Sequence, residues 1–185
     1  LEFRRVLFRS GVSGVRRLLA EAEAALAAAH VASPRHDAEA LLAHVLGVSR
    51  GLLPLQADPD AERAAAYRAL VARRAAREPL QHLTGRAAFR HVELAVGPGV
   101  FVPRPETELL AGWAIEALAG LDQPVVVDLC TGSGAIAASI ADEVPGARIH
   151  AVELDPAAHA WAERNLAGPD RKSTRLNSSH SQQSR

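Results

Sequence analysis

The stretch "VVVDLCTGSGAIAASIA", residues 125 to 141, sets a continuous apolar run against two closely spaced glycines and then an alanine-rich segment. Val125 to Leu129 has the length and composition of a buried strand, and Ala135 to Ala141 has the pattern of a helix. A parallel strand that ends in a glycine turn and feeds a helix sets backbone N–H groups and the positive end of that helix above the sheet. Gly132 and Gly134 let the main chain approach a ligand that a Cβ would repel, and Ala137 lets the helix pack close on the strand. Further on, Ala147 to Val152 reads as a strand and Pro156 to Ala167 as a helix. Strand, helix, strand, helix in units of this size implies an α/β fold with a parallel sheet.

Upstream, the pattern is helical. Val15, Leu18, Leu19, Ala22, Ala25, Leu26 and Ala29 recur at spacings of three and four, so a helix is expected from Ser13 to His30. Ser33-Pro34 opens a second helix that Gly47 closes, with Ala38, Leu41, Leu42, Val45 and Leu46 on its buried face. Asp58-Pro59 opens a third, to about Arg77, with Ala64, Tyr67, Leu70 and Val71 facing the other two. The three form a small bundle. After "EPLQHLTG", the segments "FRHVELAV" and "VFVP" read as two strands of a β-hairpin turning at "GPG". A helix from Thr107 to Ala119 follows, carrying Leu109, Leu110, Trp113, Ile115 and Leu118, and Trp113 and Trp161 are expected to fill gaps between helix and sheet.

Composition narrows the chemistry. The 185 residues are 48% apolar and carry no formal net charge, which gives no footprint for nucleic acid or an anionic membrane. No apolar run is long enough to span a bilayer, and a cytoplasmic monomer is expected. A single cysteine, Cys130, and scattered His82, His91 and His159 offer neither a disulfide framework nor a metal set. Cys130 has no neighbouring His or acid that would make it a nucleophile. Arg73, Arg74 and Arg77 read as a solvated helix end that complements the helix dipole. No methionine occurs, and "LEFRRVLFRS" and "RKSTRLNSSHSQQSR" lack the periodicity of the body. The chain is therefore expected to be a fragment with adapter-like ends, the tail being disordered; the rival reading of the tail is a native basic segment that binds RNA.

Gly132-x-Gly134-x-x-Ala137 meets the loose dinucleotide fingerprint, and Glu153, ending the next strand, can accept both hydroxyls of a ribose. Both features fit any adenosine ligand. Asp128 separates two of them: its carboxylate sits badly beside the pyrophosphate of NAD but suits the cationic ammonium and sulfonium end of S-adenosylmethionine. The bland alternatives are that Asp128 caps the turn and that Glu153 is a solvated strand end.

These residues carry a resemblance. "FVPRPETELL", "VVVDLCTGSGAIAASIA" and "IHAVELDPAAHAWAERNL", with "SPRHDAEALLAHVLG" and "REPLQHLTG" upstream, are similar to the family of glutamine N5-methyltransferases that modify class I peptide chain release factors, over roughly residues 13 to 168. The resemblance implies a helical substrate-recognition domain over 11–85 and a β-hairpin linker over 86–104. It implies the first part of a Rossmann-like class I methyltransferase domain over 105–169, with 1–10 and 170–185 outside the fold. It assigns the methionine part of S-adenosylmethionine to Cys130, Thr131, Gly132, Ser133 and Gly134 and its ribose to Glu153, beside Asp128 from the charge argument. It also folds "PRPETE" over the donor pocket with Phe101 covering the ligand, the alternatives being a rigid linker and a buried core aromatic. Cys130 stands where that family usually has glycine. The family's Asn-Pro-Pro-Tyr motif, which grips the acceptor amide, does not occur here, so no catalytic residue is assigned and the chain alone is expected to be inactive. An amide nitrogen is a poor nucleophile, and holding it in line with the methyl group is nearly all the catalysis available. Ribosomal-protein glutamine methyltransferases share the donor motifs. A nicotinamide-dependent oxidoreductase and a non-catalytic release-factor-binding module are the alternatives of other classes.

Overall fold

The computed structural model describes residues 14–167 and 174–178. They fall into two compact units that divide between Thr84 and Gly85.

The first unit is all helical. It comprises α1 (Gly14–Ala28), α2 (Pro34–Leu46), a 3-10 turn (Arg50–Leu55), α3 (Ala61–Ala75) and the short α4 (Leu80–Thr84). The periodic positions do meet: Leu18, Leu19 and Leu26 of α1 pack with Leu41 and Leu42 of α2 and with Tyr67 of α3. Tyr67 is fully buried and donates its hydroxyl to the Ala38 carbonyl at 3.1 Å, which supplies the partner a buried phenol needs. Burial also pushes its pKa up. Val45 and Leu46 are only partly buried, and the face extends instead to Ala43 and Asp37. Asp37 is no misplaced charge, because Arg74 donates to it from α3 at 2.7 Å. Arg73 is likewise paired, with Glu78. The expectation of a solvated basic helix end therefore fails for Arg74, whereas Arg73 stays exposed in its pair.

The caps also differ from the sequence reading. Asp60, not Asp58, caps α3 by accepting from the Arg63 N–H at 2.8 Å. Asp58 reaches across to the amino end of α1, where it accepts from the N–H groups of Gly14 and Val15. A Cβ on Gly14 would stand 2.7 Å from the Asp58 carboxyl carbon, so the glycine is what lets the cap approach.

The second unit begins with the antiparallel pair β1 (Arg86–Phe89) and β2 (Val92–Ala95). The hairpin is one turn earlier than expected: "FRHVELAV" contains the turn itself, at Arg90-His91, and "VFVP" forms no strand. Arg90 takes a positive φ of 49° that usually calls for glycine or asparagine. What holds it is its guanidinium, which donates to both oxygens of Glu143 at 2.6 and 2.7 Å and to the Glu108 carbonyl at 3.2 Å.

α5 (Thr107–Leu118) follows, then β3 (Val125–Leu129), α6 (Ala135–Glu143), β4 (Arg148–Glu153), α7 (Pro156–Leu166) and β5 (Thr174–Ser178). The three strands form a parallel sheet in the order β3-β4-β5, with Val125 beside Arg148 and Leu129 beside Val152. This is the start of an α/β, Rossmann-like sheet. β5 lies in the stretch read as a disordered tail, so that reading does not hold for Thr174–Ser178, whose backbone pairs with Ile149–Glu153.

β3 is an edge strand among the described residues, and Val127 and Leu129 are 58% and 68% exposed. The core lies on the other side, where Ala137, Ile140, Ile149 and Ala162 are buried. The expected packing role of Trp113 is overturned: it is 68% exposed, Leu109 is 79% exposed, and α5 buries Ala111 instead.

The Arg90 pair gives a pH-dependent expectation. Its hydrogen bonds hold the Glu143 carboxyl below the usual carboxylate range. A depressed folded pKa contributes stability that is present above the unfolded value near 4.5 and is lost as pH falls through the folded value. Arg90→Ala is expected to lower stability at neutral pH and to flatten the acid limb of the stability profile. Urea denaturation followed across acid pH measures both, and an unchanged acid limb would place the acid sensitivity elsewhere.

Candidate functional site

The loop between β3 and α6 holds three left-handed residues within five positions: Cys130 at φ 59°, Gly132 at 58° and Gly134 at 81°. Such a run turns the chain sharply off the strand end and into the helix. Thr131 fastens it, its N–H donating to the Val152 carbonyl at 3.0 Å and its carbonyl accepting from Gly134 at 2.9 Å.

The two glycines serve different ends. A Cβ on Gly132 would meet nothing within 4 Å, so that side of the loop faces open space. A Cβ on Gly134 would press on Leu166 of α7 at 3.2 Å. Gly132 leaves room for a ligand, whereas Gly134 admits a neighbouring helix.

Asp128 is the penultimate residue of β3 and turns its carboxylate into the loop. Its Oδ2 accepts from the Thr131 hydroxyl at 2.6 Å and from the Ala137 N–H at 3.2 Å. The capping role is thus present in the structure. Burial raises the Asp128 pKa, the bonds from Thr131 and Ala137 oppose that rise, and the nearby Glu153 charge adds to it.

Glu153 is buried at the end of β4, which removes the reading of it as a solvated strand end. Its Oε2 accepts from the Gly132 N–H at 2.8 Å, and its Oε1 accepts from Leu154 and Asp155 at 2.8 and 3.0 Å. A carboxylate has about four acceptor positions. Three are taken by backbone, and the fourth is on Oε2, the oxygen that also reaches the glycine loop. Asp155 then starts α7 by accepting from the Ala157 and Ala158 N–H groups at 2.8 and 3.0 Å.

Of the residues assigned from sequence, hydrogen bonds bring together Asp128, Thr131, Gly132, Gly134 and Glu153. Ser133 is buried and Cys130 exposed. Phe101 is 66% exposed with the Arg104 guanidinium 5.0 Å over its ring, and no bond ties it to the loop. Trp161 is partly buried, donates to the Pro98 carbonyl at 3.1 Å, and lies where a Gly97 Cβ would come within 2.6 Å of its ring.

Sequence reasoning missed Asn165, whose amide bonds to Ser133 of the glycine loop and to Ala95 of β2. The signal was there. Asn165 sits three residues after buried Ala162 and beside buried Leu166, a polar amide in the apolar stripe of α7.

Two substitutions test the loop. Cys130 holds a conformation that costs a side-chain-bearing residue about 1–2 kcal/mol, part of which glycine gives back in unfolded-state entropy. Cys130→Gly is expected to stabilise the chain by about 1 kcal/mol in urea denaturation; a loss of stability would contradict that account. For Asp128, a raised folded pKa means stability that is full below the unfolded value near 3.8 and is lost as pH rises through the folded value. Asp128→Asn keeps an acceptor for Thr131 and Ala137, so as pH rises from the unfolded value through the raised folded value its stability is expected to fall less than that of the parent chain. Parallel profiles would exonerate Asp128.

Comparison with known proteins gives this geometry a family. Residues 17–85 match the model of the PrmC N-terminal domain. The release factor glutamine methyltransferase of Streptomyces coelicolor (strain ATCC BAA-471 / A3(2) / M145) is 59% identical over 152 residues, covering 81% of this chain and 53% of the relative. That of Mycolicibacterium smegmatis is 55% identical over 154 residues, 83% of this chain and 54% of the relative. That of Corynebacterium glutamicum is 51% identical over 149 residues, 80% and 53%. The chain thus spans about half the length of the curated relatives it matches. Among solved structures, precorrin-6y C5,15-methyltransferase from Geobacter metallireducens GS-15 matches at TM-score 0.38 and 18% identity, over 49% of this chain and 46% of that one, and nothing further rests on that likeness. With its helical unit and its glycine-loop unit both matched in the curated relatives, the chain belongs to the release factor glutamine methyltransferase family.

Proposed function

We propose that this chain is the donor-binding part of an S-adenosylmethionine-dependent enzyme that methylates a glutamine side-chain amide in class I peptide chain release factors. The observation that supports it most is the pairing of open space over Gly132 with the buried Glu153 carboxylate 2.8 Å from the Gly132 N–H. A glycine with room above it and a carboxylate with one acceptor position left beside it fit an adenosine ligand. Asp128 inclines the site to a cationic ligand over a pyrophosphate, since a further negative group would add to two carboxylates already close enough to interact.

S-adenosylmethionine supplies an electrophilic methyl group on a sulfonium. The chain's own contribution is to hold that donor: Gly132 and its neighbours at the loop backbone, Glu153 at the ribose hydroxyls, Asp128 by its charge, and Phe101 at the rim. Gripping the acceptor amide falls to the Asn-Pro-Pro-Tyr motif, which these 185 residues do not contain. The chain on its own therefore binds donor without turnover. The helical unit, which matches the PrmC N-terminal domain, is the part that recognises the release factor. Asp37 and Arg74, held in an internal pair, shape that unit and are not its contact charges.

Titration calorimetry of the purified chain tests the donor site. S-adenosylmethionine and S-adenosylhomocysteine are expected to bind and NAD is not, and Glu153→Gln is expected to weaken binding by roughly tenfold or more, the range of a hydrogen bond to a charged group. Binding of NAD in preference would transfer the reading to a dinucleotide enzyme. An amide-methylation assay with intact release factor is expected to show no turnover by this chain.

A further inference from the structure

Asn165 is a polar side chain of α7 that touches two other elements at once. Its Oδ1 accepts from the Ala95 N–H at 2.8 Å, and its Nδ2 donates to the Ala95 carbonyl at 2.9 Å and to the Ser133 carbonyl at 2.9 Å. Ala95 ends β2, and on the side away from β1 its N–H and carbonyl meet this amide as they would meet a neighbouring strand. Ser133 lies between the two left-handed glycines of the loop. Both N–H bonds of the amide are thus spent, one on the hairpin and one on the loop.

The neighbours of Asn165 reinforce the same link. Leu166 occupies the space below Gly134, where a Cβ would come within 3.2 Å. One turn earlier in α7, Trp161 fills the space beside Gly97 and bonds to Pro98. One helix therefore sets the glycine loop at its carboxyl end and the segment leaving the hairpin nearer its amino end.

From this we infer that Asn165 is a positioning residue for the donor site, fixing the glycine loop against the hairpin so that Gly132 and Glu153 are held ready for the ligand. The inference deepens the proposed donor site and rests on that reading for its binding arm. The bonds of Thr131 and Glu153 tie the glycine loop to β4 and, by themselves, leave it free to shift against the hairpin. An amide that ties its midpoint to a strand end removes that freedom before the ligand arrives, and preorganisation of this kind appears as affinity. The side chain itself is placed under Ser133 and acts through the loop.

The experiment uses the full chain. Asn165→Asp keeps the shape and removes both N–H donors; Asn165→Ala removes the amide without adding charge. Trp161→Phe, which loses one hydrogen bond from the same helix to Pro98, is the control for a general loosening of α7. Hydrogen exchange is expected to speed up by about tenfold or more at both Ala95–Gly97 and Thr131–Ala137 in the Asn165 variants, as loss of about one to two net hydrogen bonds would produce. Affinity for S-adenosylhomocysteine is expected to fall by a similar factor, and by more than in Trp161→Phe at matched loss of melting temperature.

Exchange that speeds up at Ala95 but not in the loop, or affinity that merely tracks melting temperature across all three variants, overturns the inference. Should the variants not fold, the unsubstituted chain decides it: the amides of Ala95 and Gly134 must lose protection in one shared opening event, and separate openings overturn it. Failure of the unsubstituted chain to bind S-adenosylhomocysteine would count against the donor site itself, and the exchange result would still settle whether Asn165 couples hairpin to loop.

Discussion

A carboxylate buried at the end of a strand, with no cation paired to it among the described residues, must find its hydrogen bonds in the backbone. Glu153 does so by drawing in the N–H groups of Gly132, Leu154 and Asp155. Those three bonds determine much of what surrounds them. The first closes the glycine loop of β3 onto β4; the other two set the bend after which Asp155 starts α7. α7 then returns Asn165 and Leu166 to the same loop. The arrangement is a ring of mutual constraint, in which a charge that would be costly if left bare is satisfied by the very groups it orders. Asp128, on the neighbouring strand, does the same on a smaller scale with Thr131 and Ala137, whose bonds oppose the rise in pKa that burial causes.

Much of this was legible in the sequence, and the reasons differ from element to element. β3, α6, β4 and α7 announce themselves because an apolar run gives way to a helical period at each glycine or proline boundary. The glycine loop and its distant acid were legible because a parallel strand end leaves few other uses for two glycines and a carboxylate. The helices of the first unit were visible in their spacing, with Leu41 and Leu42 fully buried as expected.

What stayed hidden depended on contacts remote in the chain. The hairpin turn at Arg90-His91 carries no turn residue, since its positive φ is sustained by Glu143, fifty-three positions away. Asp58 reads as the cap of the helix just ahead of it, yet it serves the helix at Gly14. The apolar residues of α5 are sufficient to predict a helix but do not say which face is covered, and Leu109 and Trp113 proved to be outside. Asn165 lay in plain view as a polar interruption of an apolar stripe. Only the folded chain says which two carbonyls it serves.

The strand β5 carries a consequence for anyone handling this molecule. The segment "TRLNS" has none of the apolar alternation of a sheet strand, yet its backbone runs parallel to Ile149–Glu153 as the third strand. Without β5, the outer edge of β4 would present unpaired N–H and carbonyl groups that any extended chain can meet, and such an edge selects by reach more than by side chain. A purification tag, a linker or a fusion partner joined shortly after α7 is therefore not an inert appendage. It competes for a place in the sheet.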